Sequence, residues 1–575
     1  MIDLKAKPFY LTDEDIAWVE ETLASLTEEE KLGQLFVDLS EDGPDEEYIK
    51  ARVEKTHIGG LRYMNLSIED TKKHNALYQK YSRVPLLIAA NVEAGGSGAC
   101  RGGTRVGDPI KLASTGDPDY AYQQGIIGAR EAGAVGCSCT FSPVVDLSMN
   151  WRNSAIACRA FGDQAQTVID FAVPNMQGFH DGGLAATIKH FPGDGVDERD
   201  QHYSNTVNSL SVEEWDESYG RIYRTMIDHG AEVVMAGHIM QPAYQKFFNP
   251  DMTEQDLLPA SLCRELLTDL LRKRLGFNGL IITDASHMVG MTCHMPRREM
   301  LVQALNAGVD MILYFNDADE DFMYLNDALK EGKLTWERVD ECLTRILALK
   351  AHLGLHKDRR TGGDLSVVGC AEHQKVAGEI SDRGITLAKQ TGENPFPLTP
   401  EKYPRIMLMP VNTPASEFSK LTGSTCRAAA VARTLQDKFN AHGFQAELFQ
   451  SPLTYVDKLR SPYDYKSPIE EFKEKYDLVI TIADVAAMGV TQRLSWDTPK
   501  GGFEVPWYVN EVPVIFVSVN SPFHLADAPQ IKNLINCYDS HSSTLDALFD
   551  KLVGNSQFQG KSPVDVFCGK VDTRK

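Results

Sequence analysis

Eight short β-rich runs between Leu32 and Asn316 set the strongest limit on how this chain can fold. They read QLFVDL, IGGLRYM, PLLIAAN, CTFSPVVDL, AATIKHF, EVVMAGHI, GLIITDA and DMILYF. The segments between them, such as Asp117 to Gly133, Gln164 to Asp181, Ser211 to His229 and Ser261 to Leu275, hold one crossover helix each, and several end at Gly, as helices tend to. A strand and then a helix, eight times over, predicts a (β/α)8 barrel. TWERVDECLTRILALKAHLGL follows as a helix that closes this unit, with Val339, Leu343, Ile346 and Leu349 at spacings of four, three and three. His356 to Gly363, HKDRRTGG, is a charged, glycine-ending boundary. From Arg405 the rhythm returns in RIMLMPV, AELFQ, DLVITIAD, VPVIFVSVN and NLINCYD, separated by segments such as Cys426 to His442, and predicts a smaller open α/β sandwich of flavodoxin-like type. The expected organisation is a barrel over 1–355, a linker over 356–400 and the sandwich over 401–575.

The chain of 575 residues, 43% hydrophobic and 24% charged, can bury full cores in both units. Its net charge of -22 excludes a general attraction to nucleic acid or to an anionic membrane, both of which need basic patches. No apolar run approaches the ~20 residues of a membrane helix, and MIDLKAKPFYLTDEDIAW has no apolar core of signal-peptide length, so residence in the cytoplasm is expected. Eleven Cys without a CxxC pair fit neither a disulfide framework nor a zinc knuckle and read as reduced, mostly packed thiols. GxxxxGKS/T, HExxH and GxSxG are absent, and the glycine-dense GGSGACRGG, Gly95 to Gly103, does not satisfy GxGxxG and reads as a loop.

Barrels carry their chemistry at the C-terminal ends of strands. Polar groups collect at five of those ends: Asn91, Asp146, Lys189 with His190, His238, and Asp284. Taken singly, such an Asp often caps the next helix and such a His is often hydrogen-bonded filler. The loop after the fifth run, KHFPGDGVDERDQH, adds Asp200 and His202 behind a span, PGDGVDER, that reads as flexible. Asp284 ends the apolar run GLIITD, which suits a nucleophile at one face of an oxocarbenium-like centre. His202 suits a group that serves first as acid and then as base, with Asp200 orienting its ring. Lys189 could instead form a Schiff base, as in aldolases, but no sugar-phosphate site is legible after strands seven and eight.

At these residues the chain resembles glycoside hydrolase family 3, in its β-N-acetylglucosaminidase branch. KHFPGDGVDERDQH resembles the branch signature KHFPGHG…DSH, and LIITDASHM its nucleophile segment. FSPVVDLSMN, CRAFG and PLLIAANVE resemble the family's FAPVxDxxxN, RSFG and PLLIAxDxE. The likeness runs from about Leu26 to Leu355, and ITLAKQTGENPFPLTPEKYPRIMLM resembles the family's passage into a second α/β domain. The resemblance implies that Asp284 attacks C1, that His202 with Asp200 is the acid/base, and that Asn91, Arg159, Lys189 and His190 hold the sugar. It implies a terminal β-linked N-acetylglucosamine as substrate, with no cofactor and no metal.

Asn91 stands where the family has Asp, a neutral amide in place of a charged double acceptor. EAGGSGAC replaces EGGRV, and Asp194 replaces the second His of PGHG. These changes leave the sugar open, so β-glucoside is a second expected substrate. Phosphate could replace water as acceptor, because a His acid/base repels an anion less than a Glu would. A non-catalytic sugar-binding protein is the remaining reading, opposed by the intact set of Asp284, Asp200 and His202. Oligomeric state is not legible.

Overall fold

The structure, a computed structural model, describes residues 2–40, 43, 45–412, 427–449, 468–485, 493–494, 496 and 505–575. The chain forms two compact units. The first comprises Met1–Val106, Pro118–Asn150 and Ala160–Gln374, and the second Gly107–Asp117, Trp151–Arg159 and Lys375–Lys575.

All eight β-rich runs of the first unit contain barrel strands: β1 Phe36–Leu39, β2 Gly60–Arg62, β3 Leu87–Ala90, β4 Cys139–Thr140, β5 Ala185–Phe191, β6 Val233–Ala236, β7 Leu280–Ala285 and β8 Met311–Leu313. They pair in parallel, each with its neighbour in the sequence, and β8 closes the ring against β1. Short runs without alternation suit strands covered on both faces, and β3, β5 and β6 are buried throughout. The helix Trp336–His352 starts at its Thr335 cap, whose hydroxyl accepts from the Arg338 N–H, and buries Val339, Leu343, Ile346 and Leu349.

Two strands depart from regular pairing. Between β5 and β6, Ile188 faces Val234 and Phe191 faces Ala236, so Lys189 and His190 oppose one residue. Between β7 and β8, Ile282 faces Met311 and Ala285 faces Leu313, so Thr283 and Asp284 oppose one residue. Each is a β-bulge, a device that re-aims side chains at the end of a strand.

The same helix Trp336–His352 carries a buried cation. Lys350 is fully buried and donates from Nζ to Gln34 Oε1 at 2.6 Å. Burial pushes its ammonium down to about 7. The folded value lies below that of the unfolded chain, so holding Lys350 costs stability as pH falls from about 10 to 7, and the cost is complete below that. Lys350→Met is therefore expected to raise the melting temperature more at pH 6 than at pH 10. An equal gain at both would show that the charge is not what burial penalises.

The second unit has a six-stranded sheet. Its strands are β9 Thr386–Gln390, β10 Arg405–Asn412, β11 Gln445–Leu448, β12 Leu478–Asp484, β13 Val514–Ser518 and β14 Asn533–Asn536. The order is β9-β14-β13-β12-β10-β11, in which β9 is antiparallel and the others parallel. Without β9 this is the flavodoxin-like order, as expected. The sixth strand is new, since ITLAKQ lies in the stretch read as linker. The helix Ala428–Ala441 lies between β10 and β11, while Cys426, where a helical segment was expected to begin, falls outside the described residues. Among the described residues no helix is long and apolar enough to cross a membrane.

Candidate active site

Asp284 emerges from the bulge of β7 with a side chain only 15% exposed. Its Oδ1 accepts from the Ala285 N–H at 2.7 Å, while Oδ2 lies 3.8 Å from His190 Nε2. Burial acts to raise this carboxyl, but the neighbouring His190 and His238, the Ala285 N–H and His202 outweigh it and hold the group below its ordinary value. An ionised carboxylate with one oxygen tied down and the other turned toward an imidazole is a competent nucleophile.

His190 is oriented from behind. Its Nδ1 lies 2.7 Å from Asp146 Oδ2, and its backbone N–H also donates to Asp146. With a carboxylate accepting from Nδ1, the face toward Asp284 is Nε2. Lys189, next to it in the same bulge, pairs with Glu93 at 2.5 Å and is buried. Sequence reasoning gave Asp146 no role and missed Glu93. Asp146 was visible as a polar end of the FSPVVD run, whereas the pairing of Glu93 with Lys189 is made only by barrel closure.

His202 Nδ1 lies 2.6 Å from Asp200 Oδ1, and the His202 backbone N–H donates to the same oxygen at 2.9 Å. Asp200 is buried, while the His202 side chain is 30% exposed. Nδ1 is thus committed to the carboxylate, and Nε2 is the nitrogen that can gain or lose a proton. The span before the dyad, read as flexible, is held along its length. Gly193 and Gly195 take φ of +119° and +100°, and a Cβ on Gly195 would lie 1.8 Å from the Leu147 carbonyl oxygen. Asp194 N–H donates to Asp146, Asp197 accepts from Arg199 and from the Val207 N–H, and Thr206–Val207 pairs with Ile239–Met240.

His238, just beyond β6, is buried between Ser261 Oγ at 2.8 Å from Nδ1 and the Ala285 carbonyl at 3.0 Å from Nε2. Nε2–H donates to the carbonyl, Nδ1 accepts from the Ser261 hydroxyl, and burial keeps the ring neutral. Burial pushes it down to about 4, against the pull of Asp284 and the Ala285 carbonyl. The segment after the nucleophile is braced as well. Ser286 Oγ donates to the Tyr314 carbonyl and accepts from Arg297, which pairs with Asp321 at 2.6 Å.

Asn91 sits exposed immediately after β3. Arg159 ends a 3-10 turn, Ala157–Arg159, in the second unit, where its guanidinium donates to the Ala155 carbonyl at 3.2 Å. The structure thus brings together Asp284, His190 and His202 with Asp200, and sets Lys189 beside them in the chain. Among the described residues no group of three His, Cys, Asp or Glu side chains is gathered as a metal site.

Residues 27–349 match the model of the glycosyl hydrolase family 3 N-terminal domain. The chain belongs to glycosyl hydrolase family 3. Within family 3, a protein of Cellulomonas fimi named beta-N-acetylglucosaminidase/beta-glucosidase is 40% identical over 577 residues, covering 100% of each chain. A beta-hexosaminidase of Methylobacillus flagellatus is 30% identical over 335 residues, which cover 56% of this chain and 90% of that one. The solved structure of beta-glucoside phosphorylase BglX bound to 2FGlc matches with a TM-score of 0.91 at 37% identity, covering 99% of each chain. A family 3 beta-N-acetylglucosaminidase of Paenibacillus sp. str. FPU-7 matches with a TM-score of 0.76 at 25% identity, over 95% of this chain and 100% of that one. The protein is a family 3 glycoside hydrolase with a barrel and an α/β sandwich.

Proposed function

We propose that the protein releases a terminal β-linked N-acetylglucosamine with net retention of configuration. Asp284 Oδ2 attacks C1 while His202 Nε2–H protonates the departing glycosidic oxygen, so that one C–O bond forms as another breaks. His202, now neutral, then takes a proton from the incoming acceptor, whose oxygen displaces Asp284 and regenerates the carboxylate. Asp200 supports the imidazolium, and Asn91, Lys189 and His190 hold the sugar ring. The observation that carries this reading is the pairing of Asp200 with His202 Nδ1, which leaves Nε2 free to serve as acid and base beside an ionised Asp284.

A second reading is favoured by a specific likeness. The neighbours that match over 99% of both chains at TM-scores of 0.91 and 0.90 are named beta-glucoside phosphorylase, and the Cellulomonas relative carries β-glucosidase in its name. Phosphate would then attack the glycosyl-Asp284 bond, and glucose would replace N-acetylglucosamine. Aryl β-N-acetylglucosaminide and aryl β-glucoside, each incubated with and without inorganic phosphate, separate the readings. Release of free N-acetylglucosamine at a rate indifferent to phosphate is the expected result. A sugar phosphate formed at a phosphate-dependent rate would replace hydrolysis by phosphorolysis, and turnover of neither glycoside would overturn both.

A further inference from the structure

The residue between the two members of the dyad is neither titratable nor exposed. Gln201 is 2% exposed, and its Oε1 accepts from the His238 backbone N–H at 2.6 Å, just beyond β6. Its own carbonyl accepts from the Gly290 N–H at 3.0 Å, and the carbonyl of His202 accepts from the Val289 N–H at 3.3 Å. Val289 and Gly290 follow Asp284 by five and six residues. The loop is thus tied at its centre to one strand end through a side chain and to the segment after the nucleophile through main chain. The approach is close enough to require glycine: a Cβ on Gly290 would lie 2.8 Å from the Gln201 carbonyl oxygen and 3.0 Å from His238 Cβ.

We propose that Gln201 is a positioning residue that fixes His202 relative to Asp284 by latching the dyad loop onto the backbone at the ends of β6 and β7. The inference rests on the acid/base role given above to His202. The Thr206–Val207 pairing with Ile239–Met240 holds the loop farther along, whereas the Gln201 side chain ties the residue between Asp200 and His202 to the His238 N–H at the β6 end. Its removal leaves a buried N–H without its acceptor and frees the loop to shift, and a displacement of about 1 Å in a catalytic group costs up to about 100-fold in rate.

Gln201→Ala and Gln201→Glu test this, since a glutamate oxygen still accepts from the His238 N–H. A phenyl glycoside needs protonation of its leaving group and a dinitrophenyl glycoside needs little, so kcat/KM on the pair reports acid catalysis. Gln201→Ala is expected to lower kcat/KM for the phenyl glycoside by about 10- to 100-fold, with a clearly smaller loss for the dinitrophenyl glycoside. Gln201→Glu is expected to recover most of that loss, and melting temperatures confirm that the fold persists. Equal losses on both substrates, or no loss on either, would overturn the latch. The parent reading fails by a different result: wild type turns over neither glycoside, or His202→Ala shows no dependence on leaving group.

Discussion

Asp284→Ala is expected to abolish turnover of every glycoside, whereas His202→Ala is expected to spare the most activated ones. Without the carboxylate no covalent glycosyl enzyme forms, and a loss on the order of 10^4-fold or more in kcat should appear for phenyl and dinitrophenyl glycosides alike. Removing the imidazole deletes proton transfer alone, which contributes about 10^2- to 10^4-fold where the leaving group needs it. Its kcat/KM should fall steeply for the phenyl glycoside and little for the dinitrophenyl glycoside. Slowed return of the glycosyl enzyme should show as a burst of dinitrophenol, because no base remains to activate the acceptor. Azide, which needs no base, should restore the steady state of His202→Ala. A loss independent of leaving group in His202→Ala, or residual turnover of a few per cent in Asp284→Ala, would remove these roles from these residues.

The second large effect concerns stability. Asp310 is fully buried at the head of β8, where Oδ2 meets Arg272 at 2.6 Å and the Ile281 N–H at 2.9 Å. Its Oδ1 lies 3.2 Å from Arg345 and 3.4 Å from Arg338. Asp310→Ala would set an apolar methyl among three guanidinium groups, of which Arg338 and Arg345 keep Glu341 while Arg272 loses its carboxylate, and breaking a buried ion pair in this way costs about 3–5 kcal/mol. A fall of that size in the unfolding free energy, seen as a lower urea midpoint with the slope unchanged, is the expected result. Burial acts to raise the Asp310 carboxyl, but the three Arg and the Ile281 N–H outweigh it and hold it down. Its folded value therefore lies below that of the unfolded chain. The stabilisation is complete above about pH 4 and is lost as pH falls through the folded value. Wild type should lose stability on acidification in that window, and Asp310→Ala should lose less. An unfolding free energy within about 1 kcal/mol of wild type would show that the arginines find other partners.

What could be read without coordinates follows from where the information lies. The barrel strands were legible because their runs are continuous and apolar, as doubly covered strands must be. The strand β9 was not, because TLAKQ carries Lys389 and Gln390 and mixes buried, half-buried and exposed positions without alternation, so it reads as connection until β14 pairs with it. Asp284, Lys189 and His190 were visible as charges ending apolar runs. Gln201 was passed over between two titratable neighbours, since its partner is a backbone N–H, which no side-chain pattern announces. Glu93 lies 96 residues from Lys189, a separation bridged only by packing β3 to β5 through β4.

The two bulges make the site a matter of counting. Had β5 and β7 one residue fewer, each could pair regularly to its end, and the strand period of two would turn the following side chains to the opposite face. A single-residue deletion there could leave a barrel sound in every hydrogen bond yet without chemistry. Lys189, His190 and Asp284 thus depend on an inserted length as much as on their identities, so a homologue can keep the letters of the motif and still lose the site by one deletion upstream within the strand.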